Sequence, residues 1–244
     1  MPKAQISQHR LRGKVALITG GNRGIGLAIA RSLAHAGCKL VITGRYQLVL
    51  RRAERELSRK TQVLAADCDI RDPLQIGKLI AATEAKFHRL DILVNDAGVA
   101  HSNLSVANLP VEDWMEVIDT NLTGMFLVTQ AALPLMKRGG AIVNNLSIAA
   151  KRVFPGSAAY IASKHGALGF TNALREELRA QGIRVIALLP GATDTAIWKT
   201  LWPEAPRKKM MSANAVAAAV VSALSSSPES TVEELTILPS AGTL

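Results

Sequence analysis

Seven short apolar runs alternate with helical stretches along this chain of 244 residues, and this alternation restricts the fold more than any other feature. The runs lie at 14–20, 39–44, 61–67, 91–98, 140–147, 183–191 and 233–238. Continuous apolar strands separated by helices are typical of a parallel sheet that is covered on both faces. We therefore predict an α/β fold with a doubly wound parallel sheet of about seven strands. The composition agrees, since apolar residues make up 48% of the chain and aromatic residues only 4%.

The net charge of +10 raises the question of nucleic-acid binding. The basic residues are scattered, however, and the run at 51–60 also contains Glu54 and Glu56, as a solvated helix face would. No aromatic residues interleave with these charges, and no nucleic-acid motif is recognisable. We predict no nucleic-acid partner, and part of the positive charge is available for anionic small ligands.

The first 12 residues are polar and basic, and they lack the apolar segment of a secretory signal. The longest apolar run, at 215–224, is too short to span a bilayer. Cys38 and Cys68 form no disulfide framework and are expected to be reduced thiols. These features predict a cytoplasmic protein with no membrane partner. Residues 1–12 are expected to form a polar N-terminal extension.

The first apolar run leads directly into a glycine-rich turn, TGGNRGIG, at 19–26. Gly20 and Gly24 permit a tight turn, and Gly26 lets the following helix pack close to the strand. The N-terminus of that helix presents N–H groups and the positive end of its dipole, both of which attract phosphate. In doubly wound sheets, ligands bind beyond the carboxyl ends of the strands. The sequence therefore predicts a dinucleotide site formed here by Gly20, Asn22, Arg23, Gly24, Ile25 and Gly26.

Further motifs follow this turn in a fixed order. They are NDAG at 95–98, Asn121 within TNLTG, Ser147, the pair Tyr160 and Lys164, and PGATDT at 190–195. Together with the T-G-x-x-x-G-x-G turn, they resemble the short-chain dehydrogenase/reductase family over about residues 13–239. One departure is Asp96, which stands where the family's N-N-A-G motif has its second asparagine. The resemblance implies a single Rossmann-fold domain spanning 1–244.

The end of the second strand, VITGRY, bears on the choice of nicotinamide cofactor. Enzymes that select NAD usually carry an acid there, which holds the ribose 2′-hydroxyl. Gly44 occupies that place, and Arg45 follows it with a guanidinium suited to a 2′-phosphate. Arg23 is able to approach the same phosphate from the glycine turn. We therefore predict NADP(H) as the cofactor.

The resemblance assigns the remaining cofactor contacts. It places Asp69 and Ile70 at the adenine, the backbone of Asn95 at the adenosine ribose, and Thr195 at the nicotinamide carboxamide. It assigns a ribose contact to Lys164. The full set of expected cofactor residues beyond the glycine turn is Arg45, Asp69, Ile70, Asn95, Ala97, Gly98, Tyr160, Lys164, Pro190, Gly191, Thr193 and Thr195.

The stretch SAAYIASK places Tyr160 and Lys164 four residues apart, hence on one face of a helix. An isolated tyrosine has a pKa near 10, and a neighbouring ammonium stabilises the phenolate and lowers that pKa. The pair is therefore suited to acid–base catalysis. By resemblance, Ser147 polarises the substrate carbonyl and Asn121 holds a water that links Lys164 to solvent. The related enoyl reductases separate Tyr and Lys by six residues rather than three, so the spacing favours carbonyl chemistry.

These residues predict an NADP(H)-dependent oxidoreductase that reduces a small-molecule carbonyl to an alcohol with Tyr160 as general acid. We expect a substrate lid at about 195–212, with Phe154, Trp198 and Trp202 at an apolar pocket. The substrate class stays open between a 3-oxoacyl thioester and another small ketone. The alternative is an NADP-binding redox sensor without turnover, although such proteins often lose the tyrosine or the lysine. No metal site is predicted.

The resemblance also implies a homodimer or homotetramer. The expected contacts between subunits are two long helices, at about 111–137 and 157–180.

Overall fold

The fold is built around one parallel sheet, as a computed structural model of residues 10–227 and 229–242 shows. The strands are β1 (Val15–Thr19), β2 (Lys39–Gly44), β3 (Val63–Asp67), β4 (Leu90–Asn95), β5 (Met136–Asn145), β6 (Arg184–Pro190) and β7 (Glu234–Ile237). They pair in the order β3-β2-β1-β4-β5-β6-β7, and every pairing is parallel. This arrangement confirms the predicted doubly wound α/β fold.

Helices connect the strands on both sides of the sheet. They are α1 (Gly24–His35), α2 (Gln47–Leu57), α3 (Pro73–Phe87), α4 (Val111–Ile118), α5 (Gly124–Ala132), α6 (Ala158–Arg179), α7 (Trp198–Leu201) and α8 (Ala213–Leu224). None of the helices within the described residues has the length and apolar character that crossing a membrane requires.

The central strand β1 contributes to a hydrophobic core on each face of the sheet. Ile18 packs with residues of α1, α2 and α8, whereas the preceding Leu17 packs with residues of α3, α5 and α6. Successive side chains of a strand point to opposite faces, so a strand buried on both sides must be apolar throughout. That requirement explains the uninterrupted run VALIT in β1.

The sheet reverses its order beside β1, because β2 lies on one side of it and β4 on the other. Thr19 at the end of β1 accepts hydrogen bonds through Oγ1 from the backbone N–H groups of Asp96 (3.0 Å) and Ala97 (3.1 Å). The loops that follow the two strands are thereby held together. The crevice beyond this reversal is where ligands of such sheets bind.

Two predicted segments differ in their bounds. The helix expected at 111–137 ends at Ala132, because Pro134 cannot continue the helical hydrogen-bond ladder, and Met136 already belongs to β5. The predicted polar extension at 1–12 lies outside the described residues up to residue 9. Its remaining part includes Leu11, which is buried in the core rather than exposed.

Candidate active site

A cavity of about 830 Å³ opens at the carboxyl edge of the sheet. Its wall is formed by the residues that follow β1, β2, β3, β4, β5 and β6, together with α6 and the segment around α7. It therefore brings together parts of the chain that are more than a hundred residues apart in sequence. Most of the residues that the sequence indicated as functional lie on this wall.

The glycine turn forms one end of the cavity through Gly20 and Gly24, which adopt φ angles of 66° and 56°. These are left-handed conformations that L side chains adopt with strain. A Cβ at Gly20 would also lie 3.0 Å from the Cα of Ala97. The helix α1 begins at Gly24, and no side chain caps it. The turn thus presents backbone and a helix N-terminus to a ligand, an arrangement suited to phosphate.

The end of β2 also faces this part of the cavity. A Cβ at Gly44 would lie 2.5 Å from Asn22 Nδ2, so a side chain such as aspartate here would require the Asn22 side chain to move. Arg45 Nη1 lies 3.3 Å from Glu116 Oε1 of α4. The guanidinium of Arg23 lies over the ring of Tyr46, 5.4 Å from its centroid. Both arginines that the sequence assigned to a 2′-phosphate therefore lie on the cavity wall, and Tyr46 and Glu116 are additions that it did not indicate.

Asp69 and Ile70 line the same cavity beyond β3. The Asp69 carboxylate forms an ion pair with Arg71, at 2.6 Å between Oδ2 and Nη2. The hydrogen bond from Arg71 lowers the pKa of Asp69, so the group is held as a carboxylate. Asp69 is thus able to accept a hydrogen bond from an amino group.

Tyr160, Lys164 and Ser147 all lie on the wall of this cavity. Burial raises the pKa of Tyr160, while its hydrogen bond with Ser147 works in the opposite direction. Lys164 is only 5% exposed, and its Nζ lies 5.6 Å from the centroid of the Tyr160 ring. Burial lowers the pKa of Lys164 to about 8. The ammonium and the phenol are therefore close enough to influence each other's charge.

Asn121 lies in a single π-helical turn, Asp119–Thr123, that joins α4 to α5. Its side chain is buried and is not part of the cavity wall. Asn121 Nδ2 donates to Val99 O (2.9 Å) and to Ser163 Oγ (3.0 Å), and Oδ1 accepts from Val99 N–H (2.9 Å). The amide N–H groups are thus shared between the loop after β4 and α6. The water predicted to link Asn121 to Lys164 could therefore bind only to the backbone of this turn or to the remaining lone pair of Asn121 Oδ1.

Two predicted cofactor residues do not reach the cavity wall. Asn95 is buried, and its Nδ2 donates to Thr129 Oγ1 and Asn144 Oδ1, both at 2.9 Å. Its side chain therefore joins β4 to β5 and α5. Gly26 also lies behind the wall, since a Cβ there would come within 2.4 Å of Asp96 Oδ2. It serves the close packing of α1 on the sheet, as its place in the turn indicated.

The segment after β6 completes the cavity. Pro190, Gly191, Thr193 and Thr195 lie on its wall, and so do Phe154, Trp198 and Trp202. Trp198 Nε1 donates to Thr193 O at 2.8 Å, which fixes the indole at this end. Arg207 donates to Thr195 O at 2.6 Å and pairs with Asp194. Arg207 therefore links its own turn to the segment that directly follows β6.

Asp96, the departure from the family pattern, also lies on the wall. Its carboxylate accepts a hydrogen bond from Asn145 Nδ2 and faces the backbone N–H of Gly26, which favours the charged form. Burial raises the pKa of Asp96 to about 6. The motif comparison identified the substitution but not its contact with β5. Within the described part of the chain, no group of three or more His, Cys, Asp or Glu side chains is placed to hold a metal ion.

Comparison with known proteins adds independent evidence. The family described as short chain dehydrogenase matches residues 14–206. A 3-oxoacyl-[acyl-carrier-protein] reductase from Synechocystis sp. is 38% identical over 190 residues, which are 75% of this chain and 76% of that protein.

Solved structures give the same result. A dehydrogenase/reductase from Sinorhizobium meliloti superimposes with a TM-score of 0.88 at 29% identity, covering 98% of this chain and 99% of that one. A short chain dehydrogenase from Burkholderia cenocepacia, in complex with NADP, superimposes with a TM-score of 0.87 at 31% identity and covers 95% and 99%.

Proposed function

The chain belongs to the short chain dehydrogenase family of oxidoreductases, and on this premise we propose that it reduces a ketone or aldehyde to an alcohol with NADPH. One observation carries the proposal. Tyr160, Lys164 and Ser147 come from α6 and from the end of β5, and they meet on the wall of one cavity beside the glycine turn. A proton donor, a cation and a hydroxyl are the groups that carbonyl reduction requires.

Each group has a distinct role in the proposed mechanism. Ser147 donates a hydrogen bond to the substrate carbonyl oxygen and polarises it. Tyr160 gives its phenolic proton to the oxygen as negative charge develops there, and the proton is later replaced from solvent. Because burial raises the pKa of Tyr160, the phenol needs the positive charge of Lys164 to release that proton.

The cavity suits NADP(H) at its adenosine end. When bound, this cofactor supplies the hydride that reduces the carbonyl carbon. The glycine turn offers backbone to the phosphates, and Arg23 and Arg45 offer positive charge where Gly44 leaves no carboxylate. The Burkholderia cenocepacia structure, which is in complex with NADP, supports this choice. We assign Asp69 and Ile70 to the adenine, and Thr195, with the Pro190–Gly191 backbone beside it, to the carboxamide.

The substrate is proposed to be a 3-oxoacyl thioester or another small ketone. The similarity to the 3-oxoacyl reductase of Synechocystis sp. supports the thioester. Phe154, Trp198 and Trp202 give this end of the cavity an apolar wall for a carbon chain. We propose that residues 195–212 act as the lid over it.

We also propose that the protein forms a homodimer or homotetramer through α4, α5 and α6. Met115 of α4 and Phe126 of α5 are large apolar side chains that stay 49% and 42% exposed in the single chain. A contact between subunits would cover them. Light scattering on the purified protein measures the state directly, and a monomer at micromolar concentration contradicts this proposal.

The experiment that tests the function is NADPH oxidation against a panel of carbonyl compounds, read by loss of NADPH absorbance. The panel contains 3-oxoacyl thioesters of two chain lengths, a diketone and a sugar aldehyde, with a 2-enoyl thioester as the control for double-bond reduction. We expect turnover of at least one carbonyl and none of the enoyl compound. NADPH binding without turnover of any carbonyl would instead indicate the redox-sensor alternative.

A further inference from the structure

Asp96 lies between the phosphate-binding turn and the catalytic lysine. Its carboxylate accepts a hydrogen bond from Asn145 Nδ2 at the end of β5 and faces the backbone N–H of Gly26 in the first turn of α1. Only a glycine at position 26 allows this approach, because a Cβ there would lie 2.4 Å from Asp96 Oδ2. A carboxylate is also favoured at this place by the positive end of the helix dipole. Asp96 therefore contacts both α1 and the end of β5.

Asn145 connects this carboxylate to Lys164. Its side chain donates to Asp96, and its backbone oxygen accepts a hydrogen bond from Lys164 Nζ at 3.0 Å. Over residues 10–227 and 229–242, this oxygen is the single hydrogen-bond acceptor found for the Lys164 ammonium, and no carboxylate lies within ion-pair distance of it. A buried ammonium with one neutral acceptor is costly to keep charged.

We propose, on the basis of the function proposed above, that Asp96 is a positioning residue that keeps the Lys164 ammonium charged and in place through Asn145. Burial lowers the pKa of Lys164 to about 8, and the negative charge of Asp96 opposes that shift. The other charged or titratable groups that act on Asp96 are Arg23 beside α1 and Tyr160 on α6. Without the carboxylate, Lys164 would lose its proton at a lower pH and would stabilise the Tyr160 phenolate less.

The role depends on charge rather than on shape, and Asp96→Asn separates the two. Asn145 Oδ1 is buried and has no hydrogen-bond partner in the described structure. If the Asn145 amide turns over, an asparagine at position 96 donates to Asn145 Oδ1 and still presents an oxygen to the N–H of Gly26. The variant therefore keeps the size and the hydrogen bonds and removes only the charge.

The test is a titration of Lys164 in the protein without cofactor. The titration is monitored by NMR of lysine labelled with 13C at Cε, and the Lys164 signal is assigned with the variant Lys164→Arg. In Asp96→Asn we expect Lys164 to titrate about one pH unit lower than in the wild type. Asp69→Asn, which removes a carboxylate from the far end of the same cavity, is the matched control and should leave the Lys164 titration unchanged. An unchanged Lys164 titration in Asp96→Asn overturns the proposal.

The wild type supplies a second measurement if the variant does not fold. Because the pKa of Asp96 is raised to about 6, the Lys164 signal should show a minor step near that pH as the carboxylate takes up its proton. A flat signal between pH 5 and about 7 would contradict the coupling. Neither measurement depends on turnover, so an absence of carbonyl reduction would overturn the proposed function and leave this result standing.

Discussion

Arg45 and Glu116 form an ion pair at the wall of the cavity, although 71 positions separate them in the sequence. Arg45 follows β2, and Glu116 projects from α4 on the other side of the reversal in strand order. The guanidinium proposed to bind the 2′-phosphate of NADP(H) is thus already held by a carboxylate. A phosphate that binds there must compete with Glu116.

Glu116→Gln should therefore tighten NADPH binding. Both partners of the pair are substantially exposed to solvent, so the gain is expected to be modest, about two- to fivefold in Kd. NADH lacks the 2′-phosphate and should change less. Asp113→Asn is a suitable control, because Asp113 lies on the same cavity wall but forms no ion pair with Arg45. Fluorescence titration with both cofactors measures the effect, and equal changes for NADPH and NADH would contradict it.

Arg45→Asp tests the cofactor preference itself. It replaces a cation by the acid that NAD-selective enzymes carry at about this place. We expect NADPH binding to weaken by about tenfold or more, because a charge-assisted contact is replaced by repulsion. NADH binding should weaken less or improve. If the ratio of the two dissociation constants stays at its wild-type value, Arg45 does not determine the preference.

Tyr160→Phe tests the assigned proton donor. It removes one oxygen and leaves the ring, so the packing of α6 around Lys164 should be kept. We expect turnover to fall by at least about a hundredfold, which is the usual contribution of a general acid. The dissociation constant of NADPH should stay within about threefold, because most of the proposed cofactor contacts remain. A rate near that of the wild type would refute the assignment.

The sequence predicted those parts of the site that depend on local spacing. The glycine turn is contiguous, and Tyr160 and Lys164 lie one helical turn apart, so neither needs knowledge of the tertiary structure. The inner strands β1, β2, β4 and β6 were predictable for a similar reason, because a strand buried on both faces is largely apolar.

Contacts that depend on strand order were not predictable from spacing. Asp96 meets Asn145 because β4 pairs with β5, and the register aligns Asn95 with Asn144. Glu116 reaches Arg45 only because α4 crosses the same edge of the sheet. Asn121 was assigned to a water by resemblance. The direction of its amide depends on a π-helical turn, which the spacing of apolar residues does not predict.

Asn95→Ala tests whether the side chain of Asn95 serves the fold; the predicted contact of its backbone with the cofactor is left in place. The change removes two buried hydrogen bonds and leaves Asn144 Oδ1 without this donor. We expect the free energy of unfolding to fall by about 1–3 kcal/mol, as for other buried groups that lose a partner. NADPH affinity of the folded protein should change by less than about threefold. Denaturant unfolding gives the free energy of unfolding, and cofactor titration gives the affinity. A large loss of affinity at unchanged stability would indicate that the Asn95 side chain contributes to cofactor binding.

The pH dependence of reduction should report on Lys164. Its pKa is lowered from 10.5 to about 8, so the ammonium is present below that pH and is lost as the pH rises through it. We therefore expect kcat/KM for carbonyl reduction to fall above about pH 8, while the affinity for NADPH weakens over the same range. Stability should change in the opposite sense. Between about pH 8 and 10.5 the unfolded chain binds a proton at Lys164 that the folded chain has released, so the contribution of this group to the free energy of unfolding rises with pH.

Lys164→Met removes this titration and supplies the control for the stability measurement. Denaturant unfolding of both proteins at pH 7 and at pH 10 isolates the difference, which should grow in favour of the wild type at the higher pH. The comparison requires that the variant fold with its α6 intact, which circular dichroism at pH 7 verifies. If the difference in the free energy of unfolding between the two proteins is independent of pH, Lys164 keeps its ordinary pKa in the folded protein. A loss of activity at alkaline pH would then be due to the titration of Tyr160.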